Sequence, residues 1–175
     1  MRKTAFLAGA ASAAATAALV LGIQSAGKEG APGFFGPGAL IADVNLSLEI
    51  LLVLGLTAGM FLARSGRIEA HRVNQTVWVL VNAVLVALIM VSSLHDVKIE
   101  QAADLASPRL AITWLHALIG TVAAAAGLWL VLQMNDILPR RLHVAAWKTL
   151  MRLTLAGYWA VALLGFAVYW FWYVA

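Results

Sequence analysis

The chain has 175 residues, 63% of them apolar and only 11% charged, with a formal net charge of +4 and no cysteine. That balance excludes a soluble globule and points to an integral membrane protein. Without cysteine there is no disulfide, zinc–thiolate site or thioether-linked haem, so the four histidines are the main candidate ligands for a metal or a haem.

Residues 1–26 read as an N-terminal transmembrane helix. Arg2 and Lys3 precede FLAGAASAAATAALVLGI, whose apolar run exceeds a usual signal-peptide core, so a retained span is favoured over cleavage near Ser25 and Ala26. Residues 27–38, GKEGAPGFFGPG, hold two of the four prolines and five glycines and form an irregular interfacial connection. Phe34 and Phe35 are placed either at the lipid headgroups or against the helices.

Residues 39–175 form a membrane domain of four helices, and the expected architecture is all-α with five spans, the last four making a bundle. The second span, Ala39 to Ala63, carries Asp43, Asn45 and Glu49 in its first half. Asn45 and Glu49 are four apart and share a helix face. An ionisable group at that depth has to face the protein interior and is by default a functional candidate. The alternative is a neutral Glu49 hydrogen-bonded between helices. Gly55 and Gly59 make a GxxxG pair suited to close helix packing.

Arg64, Arg67 and Arg72 fill a basic turn that includes His71, and the third span runs from Val73 to Leu94 with Asn82 at its centre as an interhelical hydrogen-bonding group. His95 closes that span. The 24 positions from His71 to His95 rise roughly 36 Å as a helix, more than the ~30 Å thickness of the hydrocarbon. The two histidines therefore belong to opposite faces. The polar loop HDVKIEQAADLASPR reads as a short interfacial helix ended by Pro108. The fourth span, Leu110 to Met134, holds His116 about two turns inside its start. A second basic turn, Asn135 to Arg152, contains His143, and the fifth span, Leu153 to Val174, ends in the aromatic belt YWFWY.

Arg2, Lys3, Arg64, Arg67, Arg72, Arg140, Arg141, Lys148 and Arg152 fall on one side, against Lys28, Lys98 and Arg109 on the other. This asymmetry puts the amino terminus in the cytoplasm and the carboxyl terminus outside a bacterial cytoplasmic membrane. It also accounts for the positive charge without nucleic acid as a partner. Topology then sorts the histidines into an inner pair, His71 and His143, and an outer pair, His95 and His116. The outer pair is the sharper candidate for a metal or haem, with Glu49 and Asn45 at similar depth to complete the site. The inner histidines stand among arginines, where a headgroup contact or a helix cap is the commoner role. No CxxCH, HExxH, GxxxxGK[ST] or GxSxG pattern occurs, so no catalytic constellation is expected.

One set of features runs over roughly residues 39 to 173: Asn45 in VNLSLE, GRIEAHR with His71, His95 at the end of the third span, PRLAITWLHAL with His116, the basic turn with His143, and LGFAVYWF with Gly165 and Tyr169. In the order of its histidines relative to the spans the chain resembles the small bacterial membrane-protein family catalogued as domain of unknown function 420, the CtaM/YozB-like proteins. It departs from that pattern at Glu49, where the family carries an amide, and at His143, whose counterpart falls about a turn later, near Trp147. The resemblance implies an accessory role in maturing a haem–copper terminal oxidase, with haem A insertion the suggested step, haem or copper as the group handled, and oxidase subunits and membrane lipid as partners. Two other readings stay open: a di-haem b-type electron-transfer protein, and a non-catalytic subunit of a respiratory complex.

Overall fold

The structure, a computed structural model, describes residues 2–28, 30–91 and 107–175. Five long helices dominate it: α1 (Arg2–Ser25), α2 (Leu40–Arg64), α3 (Ile68–Leu85, running on as a single π-helical turn Val86–Met90), α4 (Pro108–Met134) and α5 (Trp147–Tyr173). A short 3₁₀ turn, Arg140–Leu142, lies between α4 and α5. Each of the five is long and apolar enough to cross a membrane. The outward surface agrees with that reading, since Leu118, Val122 and Leu163 are 64%, 62% and 65% exposed, a cost that water would penalise and lipid would not.

The helix ends follow local chemistry and shift the expected boundaries. Pro108 opens α4 instead of ending a preceding helix. Its missing N–H is no loss in a first turn, and the Ser107 hydroxyl caps that turn by accepting from the Leu110 N–H at 3.3 Å. The loop from His95 to Ala106, with the interfacial helix expected there, lies outside the described residues. Helix α3 starts at Ile68, five residues before the apolar run, because Gly66 at φ 77° turns the chain sharply after α2. His71 thus sits in the first turn of a helix and is buried. Helix α5 likewise begins at Trp147, so the second basic turn is partly helical.

Helix α3 touches α1, α2 and α4, and α5 touches α2 and α4, so α2, α3, α4 and α5 meet in a cycle with α1 outside against α3. The interior of the cycle is filled by Leu52, Val53 and Leu56 from α2, Val79 from α3, Ala123 and Val131 from α4, and Tyr158, Val161 and Ala162 from α5. In lipid, helix contact depends on close packing and interhelical hydrogen bonds more than on apolar burial. Both are present between α2 and α3. The Trp78 indole lies against Gly55 and the Asn74 and Gln75 amides against Gly59. Asn74 Nδ2 donates to the Gly55 carbonyl at 2.8 Å and Gln75 Nε2 to the Leu56 carbonyl at 3.1 Å. The GxxxG pair does bring two helices together, but the space it leaves is taken by side chains of α3.

Candidate functional site

Val161, Gly165 and Tyr169 recur every four residues and so line one face of α5. Against that face the structure sets three polar side chains from other helices: His116 at Val161, Glu49 at Gly165 and Asp43 at Tyr169. By helical rise, Glu49 lies ~14 Å along α2 from Leu40 and His116 ~12 Å along α4 from Pro108. Both helices enter from the end opposite the basic turns, which brings the two side chains to one level.

His116 Nδ1 is 3.2 Å from the Val161 carbonyl oxygen. A carbonyl can only accept, so Nδ1 carries the hydrogen and the neutral ring presents a bare lone pair at Nε2. That nitrogen faces Glu49 Oε1 at 4.0 Å, and the two side chains keep only 19% and 14% of their surface exposed. Gly165 makes the approach possible. A Cβ there would collide with Glu49 Oε2, so glycine leaves the carboxyl room beside α5. Asn45, a turn nearer the start of α2, is partly buried, and its side chain makes no hydrogen bond among the described residues. His95 lies outside them.

The pairing of His116 with Glu49 joins two of the residues that sequence depth alone had grouped. A neutral imidazole and a carboxyl are both transition-metal donors, and a backbone carbonyl holding the far ring nitrogen is the usual way such a histidine is oriented. No group of three or more histidine, aspartate or glutamate side chains converges among the described residues.

The inner histidines are held differently. His71 is 5% exposed, with Nδ1 2.8 Å from the Gly59 carbonyl, and so extends the row of side-chain bonds from α3 to α2. His143 Nε2 is 3.0 Å from the Leu138 carbonyl and closes the loop that leads into α5. Asn82 Nδ2 donates to the Tyr158 hydroxyl at 3.2 Å and ties α3 to α5, as expected of a polar residue at mid-span.

The residue that sequence reasoning did not rank is Asp43. It is wholly buried, and both oxygens are engaged, Oδ1 by the Tyr169 hydroxyl and Oδ2 by the Phe35 N–H, each at 2.6 Å. The glycine-rich connection folds over it, closed by Gly33 N–H to the Gly38 carbonyl at 2.9 Å and Leu40 N–H to the Ala31 carbonyl at 2.8 Å. Gly33 and Gly38 both lie too close to the carboxylate to carry a side chain. An acid in the first turn of a helix, next to a glycine-rich segment with free N–H groups, was the available signal. The chain matches no protein-family model, no curated protein and no solved structure.

Proposed function

We propose that the chain is an accessory factor for maturation of a haem–copper terminal oxidase, which holds copper in transit and passes it to oxidase subunits. It works in a bacterial cytoplasmic membrane, amino terminus inside and carboxyl terminus outside, with α2 to α5 forming the bundle that carries the site. The distribution of nine cationic residues against three supports that orientation. The observation that carries the reading is the pairing of His116 Nε2 with Glu49 Oε1 at 4.0 Å inside a span, where ionisable residues are rare and are by default functional candidates. The order of the histidines, which resembles that of an oxidase-maturation family, supplies the partner. Copper is preferred to haem because an imidazole nitrogen and a carboxyl oxygen, both donors to transition-metal ions, face each other across 4.0 Å.

The test is made in cells that lack the native gene and express either the wild-type chain or His116→Ala. Copper content and the absorption spectrum of the purified oxidase are read, together with the spectrum of the accessory protein itself. The expected result is an oxidase depleted of copper in the variant, and an accessory protein with no Soret band. An unchanged oxidase would overturn the proposed role. A strong, reversibly reducible Soret band in the wild-type chain would instead favour the di-haem electron-transfer reading.

A further inference from the structure

We propose that the basic end of the seam between α2 and α5 holds an anionic phospholipid, its phosphate held by Arg64 and Arg152 and an acyl chain lying along Phe61. The proposal stands apart from the metal-carrying role above and needs only that the five apolar helices lie in a lipid bilayer.

The seam is antiparallel. Asp43 meets Tyr169, Glu49 meets Gly165 and Thr57 meets Trp159, so residue numbers rise along α2 as they fall along α5. The last contact sets the register toward the basic end, where the Trp159 indole N–H donates to the Thr57 hydroxyl at 3.1 Å. Arg64 stands seven residues after Thr57 on α2, and Arg152 seven residues before Trp159 on α5. Seven residues make about two helical turns, so each arginine lies on the face of its helix that carries the contact, ~10.5 Å past it. Two cations on neighbouring helices are thereby brought to one level. Lys148, one turn beyond Arg152 on the same face, adds a third.

Beyond Thr57, α2 presents a groove of about 670 Å³ lined by Ala58, Phe61, Leu62, Arg64 and Ser65. It is apolar first and charged at its far end, the order in which a phospholipid presents its chain and its headgroup. Phe61 is 57% exposed there, a surface that an acyl chain covers. The Ser65 hydroxyl donates to the Leu62 carbonyl at 3.0 Å, so its hydrogen is taken and the headgroup falls to the guanidinium groups, whose forks match phosphate. Trp147, 44% exposed and with Lys148 Nζ 5.4 Å from its ring centroid, marks the interfacial level at which aromatic side chains gather. The surrounding charge has the matching sign. Residues 64–72 and 135–152 hold seven Lys and Arg against Glu69 and Asp136, and Glu69 is paired with Arg72 at 3.1 Å. Basic pockets between membrane helices are a recurring form of phospholipid headgroup site. A free phosphate would use the arginines and leave Phe61 uncovered, whereas a lipid uses both.

The full chain, purified in mild detergent, is titrated with dioleoyl phosphatidylglycerol and, separately, with dioleoyl phosphatidylcholine, and the lipid bound per chain is counted by native mass spectrometry. The two lipids share their chains and differ in headgroup charge. Wild-type protein is expected to bind one phosphatidylglycerol at least ~10-fold more tightly than phosphatidylcholine, because cations at the membrane surface attract anionic lipid. Arg64→Gln/Arg152→Gln should lose that preference. Arg140→Gln/Arg141→Gln removes the same charge from the same end but outside the groove, and should keep it. Helical content of both is checked by circular dichroism. Equal affinity of the wild type for the two lipids would overturn the inference without any substitution. Equal loss of preference in the two double variants would overturn the groove and leave diffuse attraction to the basic turns. Displacement of phosphatidylglycerol by an excess of inorganic phosphate would overturn the lipid as occupant in favour of a free anion.

Discussion

Replacing Tyr169 by phenylalanine isolates one atom of the structure, the hydroxyl that donates to Asp43 Oδ1 at 2.6 Å. Asp43 has no exposed surface, so water cannot take the place of the lost donor without opening the loop above it. A hydrogen bond to a charged partner contributes about 1.5–3 kcal/mol, and leaving a buried acceptor unsatisfied costs a similar amount. The second carboxylate oxygen keeps its bond from the Phe35 N–H, so the loop should loosen without detaching. The expected loss is therefore about 1.5–3 kcal/mol in detergent, concentrated in residues 30–43. Hydrogen exchange at the Phe35 amide is the local readout, and thermal unfolding followed by circular dichroism is the global one. Tyr169→Phe should speed Phe35 exchange by at least ~10-fold, the change that 1.4 kcal/mol produces. Exchange and melting both unchanged would refute the view that Asp43 pins the glycine-rich connection to α5.

Three other substitutions separate packing from ligand binding. Gly55→Ala places a methyl against the Trp78 indole and should destabilise by about 1–3 kcal/mol, measured by thermal unfolding, without altering metal stoichiometry. Gly165→Ala pushes only on the flexible end of Glu49, so the melting temperature should hold while copper bound per chain falls by at least ~10-fold, or 1.4 kcal/mol. His71→Ala removes the buried contact with the Gly59 carbonyl and should cost about 1–3 kcal/mol of stability with metal content unchanged. Loss of a bound metal or haem in that variant would restore the inner pair as a ligand site.

The spans were legible because twenty or more apolar residues in a row have few other uses, and all five are helices in the structure. Their ends were less so. Trp147 to Arg152 carries polar residues that hydropathy assigns to a turn, yet nothing in that segment breaks a helix and α5 starts there. The level of Glu49 and His116 followed from counting helical rise, and Asn82 followed from its place at mid-span. What counting could not supply was α5. Val161 and Gly165, which orient the pair, are apolar or small and carry no chemical signal of their own. Asp43 and Tyr169 are 126 residues apart, and no local pattern connects them. His71 looked like a residue of a basic turn because the arginines around it mask its helical position, and burial changed its role to a tie between α2 and α3.

The central claim is that Glu49 and His116 together hold a metal ion within the membrane span. Copper per chain, determined by elemental analysis of wild type, Glu49→Gln and His116→Ala purified side by side from copper-replete cells under reducing conditions, tests it most directly. One copper per wild-type chain and less than about a tenth of that in each variant is the expected result, since a tenfold loss needs only 1.4 kcal/mol and each variant removes one of two donors. Equal copper in all three proteins, or none in the wild type, would contradict it.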